Sequence, residues 1–185
     1  MHPNIRRKPK LLVFDYDYIL WPFSFDKDVA KFISRENDGS IVDNDGKELK
    51  CYEQVPEILE NLTKEGFKIA IASEIKEVLQ ANELIRLLEW DKFITYRQPG
   101  LSIPLVRLFW FRNEKGIHFD DMIFFYAKPF DASEIISFCL GLTVILVENG
   151  LNNDLIENAL EKFGYPDDDD DDDEDEDKDE DEPNR

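Results

Sequence analysis

The sequence predicts a three-layer α/β domain built on a central parallel sheet. Three observations predict it: short apolar runs of strand length, segments of helical period between them, and acids placed directly after the first apolar run.

Leu11-Leu12-Val13-Phe14 is the first apolar run and reads as a buried strand, with Asp15 and Asp17 at its carboxyl end. A polar stretch from Trp21 to Cys51 follows. It holds two turn signals, Asn37-Asp38-Gly39 and Asp43-Asn44-Asp45-Gly46. Ser40-Ile41-Val42 and Glu48-Leu49 flank the second, which predicts a small hairpin there. Pro56 to Gly66 puts Ile58, Leu59 and Leu62 on one helical face and ends on glycine. Lys68 to Ser73 is a second strand. Ile75 to Leu88 is a helix with Val78, Leu79, Ile85 and Leu88 at matching spacing. Leu101 to Lys115 is a helix that is apolar nearly all round. Met122 to Phe125 is a third strand, Ala132 to Leu140 a helix, Thr143 to Val147 a fourth strand, and Leu151 to Phe163 a closing helix. Strands alternating with helices imply parallel pairing through right-handed crossovers. Ligands of such sheets bind at the carboxyl ends of the strands, which places Asp15, Asp17, Ser73 and Tyr126 to Lys128 around one crevice.

Charge is distributed unevenly. The chain of 185 residues carries a formal net charge of -20. Residues 167–185 hold 15 acids against 2 bases, a net of -13, which leaves -7 for the first 166. The reading is a folded domain over 1–166 and a disordered acidic tail over 167–185, because a run of aspartates repels itself and has no apolar surface to bury. Such a tail solubilises, or attracts a basic protein; it repels phosphates and so excludes nucleic acid as a direct partner. Cys51 and Cys139 are too far apart for a zinc site or a disulfide framework. The basic N-terminus lacks an apolar signal core, and no apolar run approaches the ~18 residues of a membrane span. The expectation is a soluble monomer of the cytoplasm or nucleus, with no membrane partner.

Asp15-Tyr16-Asp17 sets two carboxylates at i and i+2, which point the same way on an extended chain. One carboxylate can attack phosphorus while its neighbour moves a proton; a solvated pair of loop acids is the plainer alternative. The surrounding text resembles the magnesium-dependent phosphatase-1 family, a branch of the haloacid dehalogenase superfamily with a Rossmann-like fold and minimal cap. The matching pieces run in order from about Lys10 to Phe163: Lys10 to Phe23, Tyr52 to Leu59, Ile69 to Ser73, Gln80 to Leu84, Pro99-Gly100, Met122 to Phe125 and Gly141 to Val144.

The resemblance implies Asp15 as a nucleophile forming an aspartyl-phosphate, Asp17 as acid and base, and Ser73 as a hydrogen-bond donor to the transferring group. It also implies Mg²⁺ held by Asp15, by the backbone carbonyl of Asp17, and by an acid after the next motif strand. The implied substrates are phosphoproteins, phosphotyrosine or small phosphate esters of the sugar-phosphate kind.

This sequence departs from that pattern. Ile19 stands where the family has Thr or Val. Glu74 stands where an arginine commonly follows the serine. No lysine follows Pro99-Gly100, and Arg107 lies about two turns down the helix. Tyr126-Ala127-Lys128 stands where the family has Asp-Asp-Glu. Tyr16, Glu74 and Lys128 are expected around the substrate pocket. Asp131 supplies a replacement metal ligand or caps the helix from Ala132; Lys128 serves as a fixed cation between the aspartates or lies exposed. The helix at Leu105 to Phe111 has more aromatic surface than one face can bury, so it packs extra core or meets a partner.

Three functional readings follow. The first is a phosphatase fold of weak or lost turnover. The second is a working Mg²⁺-dependent enzyme with a rearranged site, and the third an acidic-tail binder of basic proteins.

Overall fold

The computed structural model describes residues 7–97, 103–127 and 129–164, without the side chains of residues 129–132 and 134. The acidic tail, Lys128 and the loop after Pro99-Gly100 therefore lie outside the described residues.

In chain order the elements are β1 (Leu11–Phe14), α1 (Phe25–Asp28), β2 (Ile33–Arg35), β3 (Ile41–Asp43), α2 (Val55–Lys64), β4 (Ile69–Ile71), α3 (Val78–Leu87), β5 (Tyr96–Arg97), α4 (Pro104–Lys115), β6 (Met122–Tyr126), α5 (Pro129–Phe138), β7 (Thr143–Leu146) and α6 (Asn153–Gly164). Five strands form one sheet in the order β5-β4-β1-β6-β7, and every pairing is parallel. β1 sits at its centre, bonded on both edges, which is why all four of its residues are apolar and fully buried.

Period-2 alternation splits the sheet into two cores. Leu12, Phe14, Ile69, Ile71, Ile123 and Phe125 face one layer, packed with α2, α3 and α6 residues such as Leu59, Ile85 and Leu160. Leu11, Val13, Ala70, Ala72, Met122 and Phe124 face the other, with Leu108 and Phe111 of α4 and Ile135 of α5. α2 shows how the sequence writes a helix here. Pro56 sits in its first turn, Ile58, Leu59 and Leu62 are buried, and Gly66 at φ +80° lets the Phe67 amide reach back to the Leu62 carbonyl at 3.0 Å. Each of those three side chains stabilises the fold by about 1.5–3 kcal/mol.

Two expectations shift. The hairpin forms chiefly across the first turn signal, β2 against β3, while the second carries a single bridge from Val42 to Glu48. α5 begins at Pro129 rather than Ala132, so Asp131 lies inside its first turn and is not its cap; proline favours that first helical position. β5, only two residues long, has no apolar run to announce it. The aromatic helix is mostly covered: Phe111 is buried, Phe109 meets Phe119 edge-on at 5.2 Å, and Trp110 lies under the Lys115 ammonium at 4.7 Å. Among the described residues no helix is long and apolar enough to cross a membrane.

Asp43 fastens the hairpin. Its carboxylate accepts the Ala30 amide at 3.0 Å, the Asp45 amide at 3.0 Å and the Lys47 amide at 2.9 Å. These bonds, the Ala30 amide first, hold its pKa below the usual carboxylate range. A depressed pKa stabilises the fold above the unfolded value near 4 and ceases to do so as pH falls through the folded value. Asp43→Ala should loosen residues 30–47 at neutral pH, costing about 1–3 kcal/mol. Acid should loosen the same segment in the unaltered protein. Amide hydrogen exchange across the hairpin measures both, and unchanged protection in the variant would refute the assignment.

Candidate active site

β1 delivers Asp15 directly to the carboxyl edge of the sheet. The Asp15 amide donates to the Phe125 carbonyl at 3.1 Å, so the ladder to β6 continues one residue past the strand. β4 lies on the other side in the register Phe14 to Ile71, which brings Ser73 level with the turn after Asp15. Asp15 is 2% exposed and Ser73 fully buried. The Ser73 hydroxyl donates to Asp15 Oδ1, and the Tyr16 amide donates to the same oxygen at 2.7 Å. Two donors on one oxygen fix the direction of the carboxylate.

The chain then turns sharply. Tyr18 adopts φ +61°, a left-handed conformation that side chains rarely take. The Ile19 and Leu20 amides both close on the Tyr16 carbonyl, at 3.3 and 3.0 Å. The turn places Asp17 beside Trp21, whose indole N–H donates to Asp17 Oδ1 at 3.1 Å. Burial raises the Asp17 pKa above the usual range, against the opposing pull of hydrogen bonds from Trp21, the Ser24 hydroxyl and the Phe25 amide. A carboxyl that keeps its proton to higher pH is suited to give that proton away.

Two outside segments hold this turn in place. The Tyr52 amide donates to the Leu20 carbonyl at 3.1 Å, and the Leu151 amide to the Ile19 carbonyl at 3.0 Å. Gly150, at φ +76°, lies so close under Tyr52 that an added Cβ would stand 2.5 Å from the ring.

Tyr16 faces inward. It is 2% exposed and its ring stacks on Trp21 at 5.1 Å. Its hydroxyl donates to Asn82 Oδ1 at 3.3 Å, an oxygen that also accepts from Arg97 at 3.4 Å, and Arg97 pairs with Asp91 at 2.5 Å. Burial pushes the Tyr16 pKa up to about 12, so the phenol stays neutral. Glu74 follows Ser73 and is exposed at the rim. Tyr126 and Ala127 come next to Asp15 and Tyr16, by the register Phe14 to Phe125. The side chains of Lys128 and Asp131 lie outside the described residues.

Trp21, Ser24, Asn82 and Arg97 are neighbours of the site that spacing alone did not single out, and Arg107, expected about two turns down its helix, lies one turn into α4. Arg107 is 2% exposed on the inward stripe of α4, formed by Pro104, Arg107, Leu108 and Phe111. Burial pushes its pKa down, while the Tyr16 and Asp15 side chains pull it back up. The signal in the sequence was an arginine at a core position of an apolar helix.

Among the described residues no three His, Cys, Asp or Glu side chains gather to hold a metal ion. Among the described residues the Asp15 carboxylate stands buried at the strand tip, and the Asp17 main-chain carbonyl, two residues on, is the second donor expected from the sequence. So sparse a set suits a small hard cation that keeps most of its water and completes its shell on a substrate phosphate, and does not suit a dedicated protein cage.

A parallel sheet with a buried aspartate at the tip of its central strand, a serine from the adjoining strand bonded to it, and a second acid two residues on has the phosphatase fold of the haloacid dehalogenase class. Solved structures of that class share the fold. A 3-deoxy-D-manno-octulosonate 8-phosphate phosphatase from Moraxella catarrhalis, in complex with magnesium and phosphate ions, superposes with a TM-score of 0.50 at 17% identity, over 84% of this chain and 89% of that one. The N-terminal part of a Bacteroides fragilis protein, containing a phosphatase domain complexed with Mg, superposes at 0.55 and 19% identity, over 85% of this chain; that match spans 39% of its length. The chain belongs to the acid phosphatase family, which it matches over residues 7–165. It is 36% identical to human magnesium-dependent phosphatase 1 over 160 residues, 85% of this chain and 88% of the relative.

Proposed function

We propose that this chain is a slow Mg²⁺-dependent phosphatase of the phosphoaspartyl type. The observation that carries this reading is the buried Asp15 carboxylate with the Ser73 hydroxyl fixed on one oxygen. An Asp15 oxygen attacks phosphorus, and the bond from phosphorus to the leaving oxygen breaks. Asp17, protonated at the start, gives its proton to that oxygen. Asp17, now ionised, takes a proton from water; the water oxygen attacks phosphorus, and the bond to Asp15 breaks with release of inorganic phosphate. Ser73 orients the nucleophile throughout. Magnesium, held by the Asp15 carboxylate and the Asp17 carbonyl, would offset the phosphate charge as the anionic nucleophile approaches.

The rate is expected to be low because Ala127 stands where the family has an acid and no lysine follows Gly100. A contact that stabilises the transition state is commonly worth several kcal/mol. The insertion between β1 and α2 comprises a helical turn and a two-stranded hairpin. So small a cover suits a phosphorylated side chain on a protein as well as a small ester. Hydrolysis of an aryl phosphate should rise with added Mg²⁺ and stop with chelator. Hydrolysis indifferent to both would reject the reading.

A further inference from the structure

The strands of the sheet begin at an edge where cations gather. Lys10 and Lys68 immediately precede β1 and β4, and the Leu12 amide donates to the Lys68 carbonyl at 2.9 Å. α4 returns to the same edge, ends in Arg112 and Lys115, and is followed by β6. Arg7 reaches Asp121, the residue before β6, at 3.4 Å.

These cations differ in their partners. Arg7 and Lys10 both pair with Asp121, Lys10 at 2.7 Å. Lys68, Arg112 and Lys115 are exposed and have no carboxylate partner among the described residues. They rest on aromatic rings instead. Lys115 lies 4.7 Å from the Trp110 centroid and 5.6 Å from that of Tyr96, Lys68 lies 6.0 Å from Tyr96, and Arg112 lies 5.0 Å from Phe119. Two ammonium groups converging on one ring repel each other. A ring at an exposed site attracts a cation only weakly, so each can take an anion as well.

The chain leaves the domain at this edge. α6 ends at Gly164, and the Arg7 guanidinium sits over the Phe163 ring at 4.9 Å. Residues 167–185 follow, with 15 acids against 2 bases. The first 166 residues carry a net of -7 and as a whole repel such a segment. α6 packs on one face of the sheet and α4 on the other. A path from Gly164 to the end of α4 therefore crosses the row of strand starts at Lys10 and Lys68. An extended chain gains about 3.3 Å per residue, so roughly ten residues suffice for that path.

We propose that this basic edge is the docking surface for the chain's own acidic segment, residues 167–182, whose carboxylates pair with Lys68, Arg112 and Lys115. Each exposed pair is weak, but the tether supplies the carboxylates at an effective concentration on the order of millimolar. Asp15 and Asp17 follow the carboxyl end of β1, at the opposite edge, so the docked segment leaves the candidate active site uncovered. The proposal does not rest on the phosphatase reading. Its consequence is mutual shielding: a basic partner must displace this domain's own cations, and a polyanion must displace the acidic segment.

Zero-length carbodiimide coupling of the full-length protein, mapped by peptide mass spectrometry, tests it. Carboxylates of residues 167–182 should couple to Lys68 and Lys115, and about tenfold less to Lys27 and Lys76, which follow the carboxyl ends of β1 and β4. Salt near ~1 M, where the Debye length is about 3 Å, should erase the preference. Equal coupling at both edges would overturn the proposal. So would coupling found only between isotope-labelled and unlabelled chains, which would give the surface to the segment of a second copy. Nearness to Gly164 alone could also bring the segment to Lys8 and Lys10. The full-length double variant Lys68→Glu with Lys115→Glu separates that case from attraction by charge. Both side chains are exposed, so the fold should persist by circular dichroism. Coupling to Lys8 and Lys10 should then fall several-fold, and unchanged coupling there would overturn the docking.

Discussion

Asp15→Asn should lower aryl phosphate hydrolysis by about 10³-fold or more with the sheet intact. The amide has the shape of the carboxylate but no anionic oxygen to attack phosphorus, so the step that forms the aspartyl-phosphate is lost at its origin. The Ser73 hydroxyl and the Tyr16 amide, which donate to the Asp15 carboxylate, can still donate to the carboxamide oxygen of the variant, so the local hydrogen bonds persist. Circular dichroism should therefore be unchanged. Turnover within tenfold of the unaltered protein would show that hydrolysis proceeds at a different group.

Ala127→Asp should act in the opposite direction. Ala127 is one residue past β6, beside the turn that follows Asp15. An acid there adds a third oxygen donor to the strand tip. Magnesium affinity should rise tenfold or more, about 1.4 kcal/mol, and kcat/KM by about 10–100-fold. Without metal the new carboxylate adds like charge beside Asp15, so the melting temperature should fall, and saturating Mg²⁺ should restore it. Titration calorimetry and metal-dependent melting measure the two effects. Absence of both would mean that position 127 faces away from the cation.

The central strands were legible because burial on both faces writes near-continuous apolar runs: Leu11 to Phe14 and Met122 to Phe125 were placed almost to the residue. The long helices were legible from their spacing, and α2 also from its Gly66 stop. What escaped was structure held by distant polar contacts. β5 is two residues whose existence depends on its pairing with β4. The turn that leads into α3 is held by Asp26, whose carboxylate accepts the Lys76 and Glu77 amides at 2.9 and 3.1 Å across 50 and 51 residues of chain. In the site, Asp15, Asp17 and Ser73 were legible because they end apolar runs. Asn82 and Arg97 were not, since they meet beside Tyr16 from α3 and β5 and only the assembled fold brings them together.

The carbonyls of Leu20 and Ile19 wait for amides from Tyr52 and Leu151, and the Tyr126 carbonyl for that of Val147. During synthesis the aspartates leave the ribosome first and the segment that braces them leaves more than a hundred residues later. A nascent chain that ends before Val147 therefore carries the two carboxylates without the frame that aims them, and the turn is set only when the closing loop docks.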